Sequence, residues 1–306
     1  RRDEKREGLN SSFAMIRLID HAVVISLRQV QDLHLESFGR EILAHEVGHH
    51  VLAPADLRDN ARLLARIRAG IPTREQHAGM VANLYTDLLI NDRLQRSAAL
   101  DMVGVYRALR PDKGPVTPIW CLYMRIYEIL WGLQSNTLIP PIADRRIQMD
   151  AGLGAKVIRV YGRDWLKGAG RFAALLLPYL LEIPESKSMV LVFGDWLDTQ
   201  DAGSGGEIPD GLAEIEDDEG VAMHPSEDPL ITGEDGEDAD KPGRRGGVER
   251  KGGHKNNYRS PDKYVELLDG MGVKVPVKEL IIRYYRELAL PHLIRFPQRI
   301  AQESVD

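Results

Sequence analysis

The sequence predicts an α+β fold that is mostly α-helical, with a small β-sheet near the N-terminus and a helical C-terminal part. Residues 13–35 are rich in β-branched residues in rough alternation, which is typical of two or three short strands. Between about 38 and 182, apolar residues instead recur at helical spacing, with interruptions at Pro and Gly. The chain has 306 residues, of which 43% are hydrophobic, so it can bury a sizeable core.

Composition restricts the chemistry open to this chain. A single cysteine, Cys121, excludes an internal disulfide framework and a site with several thiolate ligands. A bound metal would therefore need His, Asp or Glu ligands. No GxxxxGK[ST] phosphate loop is present, so we expect no nucleotide-binding machinery. No run of eighteen or more apolar residues occurs, and residues 1–12 lack the apolar segment of a secretion signal, so we expect no membrane span and a cytoplasmic location.

Charge divides the chain into three predicted parts. Residues 201–240 contain 15 Asp and Glu and no Lys or Arg, so the net charge of −6 becomes +9 when this block is set aside. We predict one domain over residues 1–198, a flexible acidic-then-basic linker over 199–260, and a helical docking segment over 261–306. The linker has too few apolar residues to offset chain entropy. Its basic part, 241–259, could bind nucleic acid, although a solvated charged segment is the favoured interpretation.

The helices can be assigned in order after the predicted strands. Segments with helical periodicity lie at about 38–52, 57–69, 73–96, 119–133 and 141–182. Ser37 is the predicted N-cap of the first helix, and Thr73 is the predicted N-cap of the third. The fourth carries an aromatic stripe at helical spacing, which we interpret as core packing and not as a cofactor site; it consists of Trp120, Tyr123, Tyr127 and Trp131.

The first of these helices contains the sequence EILAHEVGHHV over residues 41–51. His45 and His49 are four residues apart, so they project from one helix face and their imidazoles can converge on one metal ion. Glu46 lies about 100° away around the helix axis. It can reach a water molecule on that ion and act as a general base. Zn²⁺ held by three protein ligands keeps a fourth position for such a water.

Two further residues of the motif receive separate roles. Gly48, between the two histidines, leaves room for a neighbouring element to approach the helix. His50 points elsewhere on the helix and is assigned to the surface or to contacts behind the ligands. The alternative interpretation of the motif is a pair of histidines that bind no metal.

A third ligand is expected from a later helix. The helix over 73–96 offers several candidates, which are Glu75, His77, Asp87 and Asp92. Asp87 is best placed, because it lies with Asn83 and Asn91 in a polar stripe at i, i+4 and i+8 along an otherwise apolar helix. Buried polar groups need partners, and a metal on Asp87, with both asparagines hydrogen-bonding the ligands or the first helix, supplies them. His77 is the second choice, and the stripe could instead be the solvent face of an amphipathic helix.

The segments LAHEVGHHVL and NLYTDLLINDRL together resemble a metallopeptidase module that occurs alongside MoxR-type AAA+ ATPases and von Willebrand A proteins. In that module an HExxH helix is followed by a helix with the pattern NxxxDxxIN. The resemblance covers roughly residues 36–96. It implies a zincin-like fold, ligation of zinc by His45, His49 and Asp87, and a MoxR-type ATPase or von Willebrand A protein as a partner.

A second resemblance is to the ImmA/IrrE-type metallopeptidases, which also carry an HExGH motif on a helix. Those proteins place a glutamate on the later helix, followed by an LLMP-like stretch. The sequence DLLINDRL departs from that pattern, so the substrates of that family do not transfer to this chain.

Together these patterns predict a zinc metallopeptidase that acts on a protein or peptide substrate. Glu46 would take a proton from the bound water, which attacks a peptide carbonyl, and a strand from 13–35 could pair with an extended substrate. Tyr85 and Tyr106 are considered as groups that stabilise the oxyanion, and neither is assigned that role. The alternative is a catalytically weak or inactive zincin-fold adaptor that docks an ATPase or another partner through the charged linker and the helix over 277–290.

Overall fold

Two short antiparallel strands form a small sheet at the N-terminal side, β1 (Ala14–Arg17) and β2 (Ala22–Ile25). The computed structural model describes residues 13–18, 22–109, 117–141, 144–183 and 224–233. The third strand considered for residues 13–35 is a helix instead. Ser26 caps that helix, because its Oγ accepts a hydrogen bond from the Gln29 amide at 3.3 Å.

Helices make up most of the described chain, as the sequence predicts. They are α1 (Leu27–Asp32), α2 (Gly39–Val51), α3 (Leu57–Gly70), α4 (Ala78–Ser97), α5 (Met102–Ala108), α6 (Pro118–Leu130), α7 (Arg145–Val160), α8 (Trp165–Leu181) and α9 (Pro229–Thr232). No helix among these described residues is both long and apolar enough to span a membrane.

The predicted N-caps Ser37 and Thr73 are wrong. A turn of 3₁₀ helix leads into α2 and another into α4, and neither helix has a side-chain cap. In these turns the Phe38 amide donates to the Leu35 carbonyl and the His77 amide to the Arg74 carbonyl, each at 2.9 Å. Because the backbone itself satisfies these amides, a hydroxyl cap is not required.

The main core lies between α3, α4, α6, α7 and α8, where α3 packs along α8 and α6 along α7. Helix α4 is buried around most of its circumference and contacts α2 on one side and the other core helices elsewhere. Helix α2 also packs against β1, and a second, smaller cluster fills the space there; it contains Ala14, Val30, Leu35, Ile42, Val105 and Leu109. The HExxH helix is therefore held between the sheet and the central helix.

The aromatic stripe of α6 packs into the main core, which confirms the interpretation from its spacing. Trp120, Tyr123 and Tyr127 are buried, and Trp131 packs partly buried against the same cluster. The rings of Tyr127 and Trp131 stack with their centroids 4.5 Å apart.

Ten residues of the predicted linker are packed against the domain, so the expectation of a linker without structure is wrong for this segment. Residues 224–233 form a 3₁₀ turn followed by α9, and they contact α7 and α8. Asp228 is buried and accepts hydrogen bonds from Arg171 Nε and from the Tyr161 hydroxyl, the latter at 2.6 Å. Ile231 joins the main core.

Several sequence predictions fall on residues outside the described ranges. These are the rest of the predicted linker, including the basic stretch 241–259, and the predicted docking segment 261–306 with its helix over 277–290.

The close approach of α2 and α4 depends on Gly48. A Cβ atom on Gly48 would lie 2.4 Å from Ile90 Cγ2, which is far inside van der Waals contact. Ile90 is the neighbour for which Gly48 leaves room, and because its side chain is β-branched it cannot swing away easily.

Gly48→Ala should therefore destabilise the protein by about 1–3 kcal/mol, as overpacking does in a tight core. Ile90→Ala should cost about 2–5 kcal/mol through the cavity it creates. The double variant should lose less stability than the two single variants lose together, because the new methyl group fills part of the cavity. Urea unfolding of the four proteins measures this coupling.

Gly152→Ala is the matched control, since Gly152 lies in α7 and a Cβ there meets nothing within 4 Å. It should stabilise the helix by about 0.5–1 kcal/mol. A Gly48→Ala variant that is as stable as the control would contradict the packing argument.

Stability should also depend on pH through His224. Burial lowers the pKa of His224 from 6.5 to about 4, so the folded state holds it neutral while the unfolded chain takes up a proton. The free energy of unfolding is therefore not reduced by His224 above pH 6.5. It falls by up to about 3 kcal/mol as the pH decreases toward 4. Urea unfolding at pH 7 and pH 4.5 should show a smaller loss in His224→Gln than in wild type; equal losses would contradict the assignment.

Candidate metal centre

Three predicted ligand side chains meet where α2 crosses α4. His45 and His49 project from one face of α2, and Asp87 faces them from α4. The two Nε2 atoms are 3.2 Å apart, and Asp87 Oδ1 lies 3.7 Å from Nε2 of His45 and 3.4 Å from Nε2 of His49. All three side chains are buried. Among the described residues, this is the one group of three such side chains whose ligand atoms converge.

Hydrogen bonds on the far side of each imidazole identify which nitrogen carries the proton. His49 Nδ1 lies 3.1 Å from the Ala53 carbonyl oxygen, which can only accept, so Nδ1 is the protonated nitrogen. His45 Nδ1 lies 2.7 Å from Asn91 Oδ1, an acceptor as well. In its neutral form each imidazole therefore presents a lone pair at Nε2 toward the other imidazole and toward the carboxylate.

Three converging acceptor atoms repel one another unless a cation lies between them. A tetrahedral zinc ion with bonds of about 2.0–2.2 Å requires its ligand atoms to be about 3.3–3.6 Å apart. The observed separations of 3.2, 3.4 and 3.7 Å form a triangle of this size. The donor set of two imidazoles and one carboxylate is also one that zinc accepts. The residues present thus fit a zinc ion.

The other two members of the polar stripe on α4 hold the candidate ligands in place. Asn83 Nδ2 donates to the second carboxylate oxygen of Asp87 at 3.1 Å, so Oδ1 is left to face the histidines. Asn91 accepts from His45. The exposed fractions of Asn83, Asp87 and Asn91 are 1%, 5% and 1%, which excludes the alternative that this stripe is a solvent face.

Behind Asn91 lies a cluster of phenol groups. Two of them, Tyr123 and Tyr127, were predicted only as core packing, and Tyr106 was considered for oxyanion stabilisation. The tyrosine triad is defined as Tyr106 from α5 with Tyr123 and Tyr127 from α6. Asn91 Nδ2 donates to the hydroxyls of Tyr106 and Tyr127 at 2.9 and 2.8 Å. Burial, together with the neighbouring phenols and the Asp87 charge, raises the pKa of Tyr123 and Tyr127 well above the usual range, so both hydroxyls keep their protons.

Glu46 and His50 occupy different environments on α2. Glu46 is only 1% exposed, so the side chain of the predicted general base is buried. His50 is exposed, and its Nδ1 contacts the Ala55 carbonyl oxygen at 3.2 Å, so it does not join the candidate centre.

The other candidates for the third ligand are engaged elsewhere. Glu75 accepts from the Thr73 amide at 2.7 Å, and Asp92 forms ion pairs with Arg96 and Arg159 at 2.8 and 3.1 Å. His77 belongs to the 3₁₀ turn before α4, ten residues before Asp87, which corresponds to about 15 Å along the helix axis. None of them converges on the two histidines.

The two tyrosines considered for oxyanion stabilisation do not face the ligand atoms. The Tyr85 hydroxyl donates to the Trp165 carbonyl at 2.6 Å, on the side of α8. The Tyr106 hydroxyl accepts from Asn91, so it lies on the Nδ1 side of His45 and not on the side of the ligand triangle.

Comparison of the chain with protein-family models, with curated proteins and with solved structures found no match. The interpretation of the site therefore depends on its geometry and on the resemblance of its two motif segments.

We expect Asp87→Ala to lose zinc, while His77→Ala keeps it. Removal of a ligand should weaken binding more than the roughly 10–100-fold loss typical for outer contacts. Zinc content after purification and competition with a chromophoric chelator measure the effect. His49→Ala should also lose zinc, and His50→Ala, its control, should keep it. The two residues are adjacent, and only His49 faces the candidate centre. Zinc retained by Asp87→Ala but lost by His77→Ala would reverse the ligand assignment.

Proposed function

We propose that this protein is a zinc-dependent metallopeptidase with a zincin-like fold, which hydrolyses a peptide bond in a protein or peptide substrate. The observation that carries the proposal is the buried triangle of acceptor atoms from His45, His49 and Asp87, with Glu46 on the same helix as the two histidines. The resemblance of LAHEVGHHVL and NLYTDLLINDRL to a metallopeptidase module supports the same conclusion.

A zinc ion in this centre would supply a Lewis acid and lower the pKa of a water molecule to about 7. The two histidines and Asp87 would hold it, and Asn83 orients the carboxylate so that one oxygen faces the centre. Glu46, buried on α2, would accept the proton of the attacking water and return it to the leaving amine. A buried carboxylate is well suited to this role, because a low dielectric strengthens its interaction with the proton.

The sheet suggests how a substrate could be oriented. Helix α2 packs against both β1 and β2. An extended peptide that adds to an edge of this sheet would therefore run beside the motif helix, and backbone hydrogen bonds would position it without strong dependence on its sequence.

The second candidate function is a catalytically weak or inactive zincin-fold adaptor that docks an ATPase or another partner. The burial of Glu46 and His49, which are 1% and 0% exposed, favours it, because a substrate must reach the centre before hydrolysis can occur. A MoxR-type AAA+ ATPase or a von Willebrand A protein is the partner that the resemblance implies.

Glu46→Gln should keep zinc and abolish hydrolysis, because the amide occupies the same volume and cannot accept the proton. The rate of cleavage of a diverse peptide library by zinc-loaded protein is the measurement, with zinc content determined on the same sample. Glu41→Gln is the matched control on α2. Glu41 Oε1 only accepts a hydrogen bond from the Asp101 amide at 3.3 Å, a contact that glutamine can keep.

Two outcomes would decide against peptidase activity. Cleavage retained by Glu46→Gln would remove the proposed base from the mechanism. Stoichiometric zinc in wild type without cleavage of any library member would favour the adaptor over the enzyme.

A further inference from the structure

We propose that the tyrosine triad selects the tautomer of His45 by fixing which end of the Asn91 amide faces the imidazole. This inference rests on the proposed function only in that His45 is taken as a metal ligand. Tyr106, Tyr123 and Tyr127 are thereby positioning residues that act on the centre through Asn91.

In the observed orientation both amide protons of Asn91 and the imidazole proton of His45 have acceptors. Both amide protons of Asn91 are donated to Tyr106 and Tyr127. The three hydroxyls of the triad lie 2.9, 3.1 and 3.4 Å from one another, so each can donate to the next around a ring. His45 Nδ1 donates to Asn91 Oδ1. These groups can therefore form six hydrogen bonds with one another.

Rotation of the Asn91 amide by 180° would leave some donor protons without an acceptor in the network. The amide oxygen would then accept from Tyr106 and Tyr127, whose protons could no longer serve the ring, and Tyr123 could make one further bond. One amide proton would face His45 Nδ1, and the other would have no acceptor in this network. About four hydrogen bonds would remain in the network, and a proton on His45 Nε2 would add a fifth toward His49 Nε2, 3.2 Å away. The observed orientation, with six, is still favoured.

Burial makes this count decisive, because water cannot easily replace a lost bond. Asn91, His45 and all three triad side chains are buried. A hydrogen bond that is not made within the network therefore leaves a desolvated polar group.

The orientation of the amide determines the chemistry at the centre. In the observed orientation Asn91 accepts from Nδ1, and the lone pair of His45 is at Nε2, toward His49 and Asp87. In the rotated orientation an amide proton would make Nδ1 the acceptor. The imidazole proton would then occupy Nε2 and block coordination.

The first test is the tautomer of His45 in chelator-treated protein, read from long-range ¹H–¹⁵N spectra of the histidine rings at neutral pH. Wild type should show a proton on Nδ1. Tyr127→Phe or Tyr106→Phe leaves three hydrogen bonds in the observed orientation of Asn91 and four in the rotated one, so the Nε2 tautomer should appear and predominate. Tyr123→Phe leaves four in either orientation, so both tautomers should appear.

Zinc affinity is the second measurement. Tyr127→Phe makes the competent Nδ1 tautomer the minor one, so it should weaken zinc binding more than twofold. Asn91→Leu, which removes the acceptor itself, should weaken it about 10–100-fold. Tyr85→Phe is the control, because Tyr85 is a fully buried tyrosine on α4 whose hydroxyl donates to the Trp165 carbonyl instead; tautomer and affinity should not change.

A proton on Nε2 in wild type, or a Tyr127→Phe spectrum identical to that of wild type, would overturn the proposal. Because the tautomer is read without metal, this outcome is separate from failure of the proposed function. Wild type that shows the Nδ1 tautomer but binds no zinc would support the role of the triad and refute the metal centre.

Discussion

The contact between Gly48 and Ile90 is the constraint on which the candidate centre depends. His45 and His49 flank Gly48 on α2, while Asp87 precedes Ile90 by three residues on α4. Since a Cβ at position 48 would meet Ile90 Cγ2 at 2.4 Å, any larger residue would push the two helices apart. The aspartate side chain is short, so it could not follow the histidines if the helices moved apart. The distances of 3.4 and 3.7 Å between Asp87 Oδ1 and the two Nε2 atoms therefore depend on this helix contact. The same glycine thus determines both helix packing and ligand geometry.

Burial of a polar stripe on α4 is the second requirement, and it explains why the surroundings of the centre are so specific. Asn83, Asp87 and Asn91 lie on a helix that is otherwise packed in the core, so each needs a partner within the protein. Asp87 accepts a hydrogen bond from Asn83 and faces the two histidines. Asn91 accepts from His45 on one side and donates to the tyrosine triad on the other. The hydrophobic core surrounds this network and keeps water from competing with it.

Local spacing was sufficient to predict much of this arrangement. The i, i+4 repeat placed His45 and His49 on one face, and the polar stripe singled out Asp87, because both patterns lie within single helices. The tyrosine triad could not be found in this way. Tyr106 reaches Asn91 from α5, and the other two phenols reach it from α6, so only the tertiary packing brings them together. The predicted N-caps of α2 and α4 were wrong because 3₁₀ turns replaced side-chain caps.

Residues 224–233 show the same limit of sequence reasoning, since the low apolar content of the acidic block did not predict that a short segment inside it packs against the domain. A buried ion pair between Arg171 and Asp228, with Ile231 in the core, is enough to attach this segment.

The candidate centre is held by hydrogen bonds on the far sides of its ligand side chains. Its orienting hydrogen bonds run from Nδ1 atoms and from Asn83, none of which would change on metal binding. The contacts that orient the three ligand side chains are therefore compatible with a metal ion bound at Nε2 of the histidines and Oδ1 of Asp87.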